Sequence, residues 1–358
     1  MRKWVVGLLV VAAAVAAGTA TRAQATPQLT KVTLQLKWVP QAQFAGYYAA
    51  LDLGYYKAAG LDVTLKNGGP NIIPEQVVAS GQAQIGVDWL PSLLAARDKG
   101  TQLVNIAQVF ARSGMTQLTW KSSGIMSIAQ MKGKKVANWL GGNQYELFAA
   151  LTKAGINPNN SKDVTIVQQP FDMNLFLKKQ VDSASAMTYN ELAQVLESGV
   201  KLSQINVIKM QDAGTGMLED GMFATASWLK SPANQAIATK VIGATLAGWI
   251  YCRDHVAQCV GFTLKAGPTL PKGHQTWMMN EINKLIWPNT SGIGIMNKAD
   301  YTRTASIAKQ FGVIKKPATG AYRTDLAEAA VAGLKKQGLD VFGKKYHPLV
   351  VKVTAGGQ

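Results

Sequence analysis

The chain has 358 residues, with 37 Lys and Arg against 20 Asp and Glu, for a formal charge of +17. That length exceeds one simple core and implies two lobes. Past the N-terminal region no run of eighteen apolar residues occurs, which excludes a membrane span there. The basic balance invites a nucleic-acid reading. However, the pairs Lys134-Lys135, Lys178-Lys179, Lys315-Lys316, Lys335-Lys336 and Lys344-Lys345 are scattered, and no basic run is interleaved with aromatics. The charge reads as a solvated surface, and nucleic acid is not an expected partner.

Arg2 and Lys3 form a positive start, residues 4–17 are almost wholly apolar, and Ala23-Gln24-Ala25 supplies a small-x-small cleavage site. Residues 1–25 therefore read as a secretory signal peptide whose apolar core is too short to span a bilayer. No cysteine lies near the cleavage site, so no lipid anchor is expected. Cleavage removes Arg2, Lys3 and Arg22 and no acid, lowering the charge from +17 to +14. The expected location is the periplasm.

Alternation over 32–36 reads as a strand, and 41–57 has helical spacing that ends near Gly60. Next come a strand over 60–65, a turn over 67–71, and a helix over 74–80. A strand over 83–89, a helix over 91–99 and a strand over 102–110 complete this first unit. The pattern restarts after Trp120: a strand within 131–140, a turn at Gly141-Gly142-Asn143, and a helix over 144–154. It continues as strand 163–169, helix 174–180, strand 183–189 and helix 190–197. Strands alternating with helices of about ten residues imply βαβ units and largely parallel sheets. From Ser227 the helices lengthen (231–253, 256–265, 274–285). The expected division is lobe 1 over 26–117, lobe 2 over 118–221, a helical return to lobe 1 over 222–320, and a C-terminal helical extension over 321–358. The fold class is α/β, two doubly wound lobes joined by a hinge, which would close over a ligand bound beyond the strands' carboxyl ends.

Residues just after strands are therefore the candidates. The stretch 37–56 carries six aromatic rings. Trp38, at a strand end before Pro40, reads as a cleft wall. Gln43, Phe44 and Tyr47 can be cleft or core, since Phe44, Tyr47 and Tyr48 share one helix face; Tyr48, Tyr55 and Tyr56 read as core. Asp88 and Trp89 hold the same strand-end position, and Trp89 facing Trp38 would make a stacking pair. In the second unit a strand runs through Trp139 into Gly141 and Gly142 and a helix start, where free backbone N–H groups can bind an acceptor. Asn143, Gln144 and Glu146 add directional hydrogen bonds. Tyr189, Asn190 and Glu191 follow another strand, and Glu219 and Asp220 lie where the chain recrosses toward the first lobe. Catalytic patterns are weak: His255, His274 and His347 are scattered without metal-ligand spacing, and the two Ser-x-x-Lys occurrences lack partner motifs. No catalytic residue, metal or cofactor is expected.

Cys252 and Cys259 are the only cysteines. In one continuous helix, seven residues rise about 10.5 Å, too far for a disulfide. A break with Asp254 capping a new helix would bring the sulfurs together, as an oxidising compartment favours. Both readings stay open.

The stretch 35–63 (QLKWVPQAQFAGYYAALDLGYYKAAGLDV) opens a resemblance that continues in VVASGQAQIGV, MKGKK, WLGGNQYE and AMTYNELAQV. In that order they resemble the successive blocks of the NMT1/THI5-like solute-binding proteins of ABC importers, from about Thr33 to Trp287. The resemblance implies a type II periplasmic-binding-protein fold, a ligand between the lobes, and a membrane permease and ATPase as partners of a monomeric binding protein. Related members take thiamine pyrimidine precursors, riboflavin, or sulfonates and taurine. Some eukaryotic relatives are pyrimidine synthases that consume a histidine of their own with pyridoxal phosphate; Gln41, Ala42 and Gln43 stand where those carry it. Rings with amides and acids suit a flat heteroaromatic. An aminopyrimidine paired to Glu146 or Glu191 is the first expectation and riboflavin the alternative. A sulfonate binder or an exported degradative enzyme ranks below both.

Overall fold

A computed structural model describes residues 28–358; the expected signal peptide, residues 1–25, lies outside the described residues. The chain opens with β1 (Thr30–Gln35), α1 (Ala45–Asp52), α2 (Tyr55–Ala58), β2 (Leu61–Lys66), α3 (Pro74–Ala79), β3 (Ile85–Trp89), α4 (Leu90–Asp98) and β4 (Leu103–Gln108). It then moves to a second sheet through β5 (Met115–Trp120), β6 (Lys135–Asn138), α5 (Tyr145–Lys153), β7 (Thr165–Gln168), α6 (Asn174–Leu177), β8 (Ser183–Met187), α7 (Glu191–Glu197) and β9 (Ile205–Lys209). β10 (Asp220–Thr225) returns to the first sheet, followed by α8 (Pro232–Asp254), α9 (Val256–Ala266), α10 (Lys272–Ile286), α11 (Lys298–Gln310) and α12 (Asp325–Lys336).

The sheets have the orders β2-β1-β3-β10-β4 and β7-β6-β8-β5-β9. β1, β2 and β3 pair in parallel, as do β6, β7 and β8. β10 is antiparallel to β3 and β4, and β5 to β8 and β9. Each sheet is thus mixed, and its antiparallel member is the strand on which the chain arrives from the other sheet. The chain changes sheets within 109–114 and 210–219. The division expected at 117/118 falls inside β5, and the one at 221/222 inside β10. The helix expected over 41–57 is interrupted at Gly54, whose φ of 74° is left-handed and starts α2 afresh. Beyond α12, residues 337–354 are not helical, so the C-terminal extension is one helix and an irregular tail.

Cys252 and Cys259 are bridged, with Cα atoms 5.4 Å apart. The helix breaks at His255 (φ −132°, ψ 55°) and not at an Asp254 cap; Asp254 ends α8 and is chelated by Arg253 at 2.8 Å. α8 packs on α1 through two glycines. A Cβ on Gly46 would stand 2.3 Å from the Trp249 ring, and one on Gly248 2.1 Å from the Gly46 carbonyl oxygen. This close crossing is how Trp249, itself fully buried, comes to fill the space beneath Tyr47 and Phe110, at ring separations of 6.0 and 6.1 Å. Because the obstacle at Gly248 is backbone, Gly248→Ala is expected to destabilise the protein by about 1–3 kcal/mol, read as a lower urea midpoint with an unchanged m-value.

Candidate functional site

Between the two sheets, at strand carboxyl ends, the chain encloses a small polar and aromatic space. Lys37, Trp38, Gln41, Gln43 and Trp89 bound it from the first sheet's side. Trp139, Asn143, Met187, Tyr189, Asn190 and Glu191 bound it from the second. Its volume is ≈ 20 Å³, about enough for one water, so a flat ring enters only if the walls part. A larger groove of ≈ 840 Å³ runs along β9 past Met126 and Leu202. Its lining carries no aromatic ring and lies at a sheet edge, away from the strand ends.

The first wall is organised by buried charge. Lys37 pairs with Asp88, and its ammonium lies 4.8 Å from the centroid of the Trp89 ring. Asp88 also accepts the backbone N–H of Trp89 at 2.6 Å. Glu75 is buried beside this pair, and burial followed by repulsion from Asp88 pushes its carboxyl well up. Asp220 accepts from Gln43 Nε2 at 2.9 and 3.1 Å and from Trp89 Nε1 at 2.9 Å. Gln41 Nε2 in turn donates to Gln43 Oε1. Both groups of the Gln43 carboxamide are thereby committed, and its orientation is set.

The second wall is built around the ends of β6 and β8. Trp139 Nε1 donates to the Pro170 carbonyl at 3.1 Å, and the next residue, Phe171, meets Trp38 across the gap at 5.2 Å, edge to face. Gly141 and Gly142 adopt φ of 104° and 140°, conformations that need glycine. Gly142 accepts from Ser92 Oγ of the opposite wall at 2.9 Å, and its N–H is taken by Gln144 Oε1 at 2.8 Å. Glu191, at the start of α7, accepts from Met187 N at 2.9 Å and Asn190 Nδ2 at 2.8 Å; burial pushes its carboxyl to about 7.

The structure therefore brings Trp38, Gln43, Trp89, Trp139, Asn143, Tyr189, Asn190 and Glu191 to the same space. Phe44 and Tyr47 are not there. Both are fully buried core residues, because the short α1 turns that face onto α8 and Trp249. Trp38 and Trp89 do not stack: Trp38 faces Phe171, while Trp89 is held by Asp220 and covered by Lys37. Asp88, Gly141, Gly142, Gln144, Glu146, Glu219 and Asp220 stand behind the walls, holding other residues in place. Lys37, Gln41 and Met187 line the space without having been singled out; Lys37 and Met187 carry the same strand-end signal that selected Trp38 and Tyr189.

Behind the walls lies a proton problem. Ser113 Oγ is 2.7 Å from Glu146 Oε2 and 3.0 Å from Glu219 Oε1, and it accepts from Met115 N at 3.1 Å. One hydroxyl has one hydrogen, so it satisfies one carboxylate and the other carboxyl must donate. Burial pushes Glu146 to about 8 and Asp220 to about 7, and it pushes Glu219 well up, aided by Glu146 and Asp220. Carboxyls raised in this way bind protons that the unfolded chain has released, so the stability they confer is lost as pH rises through their folded values. Unfolding free energy is expected to fall between about pH 4.5 and pH 8, by about 1.4 kcal/mol per unit for each proton retained. Glu146→Gln should flatten that fall, as measured by urea unfolding at stepped pH.

Among the described residues, no group of three or more His, Cys, Asp or Glu could hold a metal ion, and no helix is long and apolar enough to cross a membrane. In sequence the chain is 24% identical over 318 residues to the riboflavin-binding protein RibY of Chloroflexus aurantiacus, covering 86% of this chain and 87% of that one. A shorter match, 32% identical over 81 residues, joins it to a formylaminopyrimidine-binding protein of Halalkalibacterium halodurans, covering 23% and 24% of the two chains. In structure it superposes on the periplasmic aliphatic sulphonate binding protein SsuA of Escherichia coli with a TM-score of 0.63 at 16% identity, covering 91% of this chain and 94% of that one. The fold is that of the periplasmic binding proteins. The family model described as NMT1/THI5 like matches residues 41–258, more than half of the chain, and the protein belongs to that family.

Proposed function

We propose that this protein is the extracytoplasmic solute-binding component of an ABC importer, capturing a flat heteroaromatic nutrient between its two lobes and delivering it to a permease and ATPase. The observation that carries this reading is the composition of the enclosed space. Trp38, Trp89, Trp139 and Tyr189 come from both sides, with the amides of Gln41, Gln43, Asn143 and Asn190 and the carboxyl of Glu191 between them. Rings offer stacking faces, and the amides and acid offer directional contacts to ring nitrogens and an exocyclic amine. Lys37, the cation on the wall, is matched by Asp88 with Glu75 beside it. That neutralisation disfavours a sulfonate or other anion.

The two carboxylates nearest the cleft are engaged by structural donors: Asp88 by Lys37 and Trp89 N, and Asp220 by Gln43 and Trp89. This supports binding over acid–base turnover. Parting of the lobes would occur at the two sheet-changing segments, 109–114 and 210–219. A single-ring aminopyrimidine of the thiamine-precursor type demands less opening of the narrow space than a larger ligand, and is the first reading. Riboflavin is the second, favoured by the full-length similarity to a riboflavin-binding protein.

Thermal shift with hydroxymethylpyrimidine, formylaminopyrimidine, thiamine, riboflavin and taurine tests this. A ligand at a hundred times its Kd adds about 2.7 kcal/mol of stability. One heteroaromatic is expected to shift the transition, with the ligand recovered chemically unchanged; a response to taurine alone would overturn the reading. Trp38→Ala is expected to weaken that ligand about fivefold, from about 1 kcal/mol of lost stacking. Tyr47→Ala should instead lower stability, as a core truncation.

A further inference from the structure

We propose that His274 is an interlobe positioning residue which, carrying both ring protons, orients Asn190 and latches the two walls of the cleft together. Its hydrogen-bond partners determine this. Nδ1 lies 2.8 and 3.0 Å from the two carboxylate oxygens of Glu197, and Nε2 lies 2.9 Å from Asn190 Oδ1. The orientation of the Asn190 amide is set independently: Nδ2 faces two acceptors, Glu191 Oε1 at 2.8 Å and Gln41 Oε1 at 3.4 Å, while Oδ1 also accepts from Gln194 Nε2 at 3.2 Å. Both ring nitrogens therefore face oxygens that only accept. A neutral imidazole has one N–H and one lone pair and satisfies one of them; the imidazolium satisfies both.

The helix that carries the ring joins the two walls. On α10, Gln275 Oε1 accepts from Ala42 N at 2.8 Å, between the cleft residues Gln41 and Gln43. Two residues on, Trp277 Nε1 donates to the Thr188 carbonyl at 3.1 Å, beside Tyr189. His274, 6% exposed, adds the bond to Asn190, and Asn190 bonds onward to Gln41 on the opposite wall. The charged groups facing the ring are Glu197 and, beyond Asn190, Glu191, both on α7. Lys272 on its own helix is exposed. The 3-10 turn at Ala355–Gly357 packs here too: a Cβ on Gly357 would stand 2.9 Å from His274 Cβ and 3.0 Å from Glu197 Oε1. One on Gly273 would stand 2.6 Å from the Gln358 oxygen, which places the last residue of the chain beside the ring's own segment as a further charged neighbour. The residues of the turn after Gln41 carry no charge. Loss of one ring proton leaves Asn190 Oδ1 or Glu197 facing a lone pair, and the latch loosens.

The test begins without ligand. Ring 15N spectra of the full chain are expected to place both His274 nitrogens in the protonated range at pH 7; a neutral tautomer there overturns the proposal. Energy transfer between dyes at Asp62→Cys and Asn159→Cys, one on each lobe, is expected to fall as pH is raised from 5.5 to 8.5 and to lose that dependence in His274→Gln. Glu197→Gln, which keeps an acceptor at Nδ1 but removes its charge, should shift the fall to lower pH. Unchanged transfer in both the parent and Glu197→Gln also overturns the proposal. The affinity arm rests on the proposed binding role: for hydroxymethylpyrimidine or riboflavin, whichever binds, affinity should weaken as pH is raised from 5.5 to 8.5 and lose that dependence in His274→Gln. If neither binds while the spectra and energy transfer behave as expected, the ligand reading fails and the latch stands.

Discussion

The buried carboxylate of Asp220 is the constraint on which the cleft is built. It begins β10, the strand that re-enters the first sheet between β3 and β4, so its place is set by the crossing of the chain between lobes. Its two oxygens take the Gln43 amide and the Trp89 indole, two residues that bound the enclosed space from different elements. One side chain at the junction therefore fixes a polar and an aromatic part of the first wall together. Its burial is also what raises its carboxyl to about 7, outweighing the opposing pull of the Gln43 and Trp89 donors and the Lys37 charge.

The same economy of cations runs through the interior. Glu75, Asp88, Glu146, Glu191, Glu219 and Asp220 are all buried, while the covered cations among the described residues are Lys37 and the Arg253 side chain, the latter paired with Asp254 and Asp340. Such an interior cannot hold every acid ionised, since an uncompensated charge in a low dielectric costs several kcal/mol. Protons retained on Glu146 or Glu219 and hydrogen bonds from backbone N–H groups and amides take the place of counterions. The walls that result present amides and rings with little free charge, which is the chemistry a neutral heteroaromatic requires. The helical return adds a second tie: α10 touches the first wall through Gln275 and the second through His274 and Trp277.

The parallel strands and their helices were legible from alternation and turn residues, because each reads as an apolar run bounded by Gly, Pro or Asn. β5, β9 and β10 were not. β5 buries Thr116, Gln117 and Thr119, so its interior face is polar and alternation gives no signal; β10 opens on Asp-Gly, which reads as a turn. These include both antiparallel strands that carry the chain between sheets, so the one reversed strand in each largely parallel sheet was not legible. At the site, strand-end position pointed to Trp38, Trp89, Trp139, Asn143, Tyr189, Asn190 and Glu191, which the structure brings to one space. It applied equally to Lys37 and Met187, which were passed over. Phe44 and Tyr47 went astray because a helical stripe has the same spacing whether it faces a cleft or another helix, and the Gly46–Gly248 approach that settles it joins residues 202 positions apart.

Composition, alternation and block order were sufficient for the α/β class, the two-lobe plan and the family, since each depends on residues near one another in the chain. The halves of each wall, the layer of acids behind them, the break at His255 that allows the disulfide, and the partners of His274 are decided only by tertiary structure. Each depends on groups far apart in sequence whose burial and hydrogen-bond satisfaction must be solved together, and no local pattern encodes which distant donor a buried acceptor will meet.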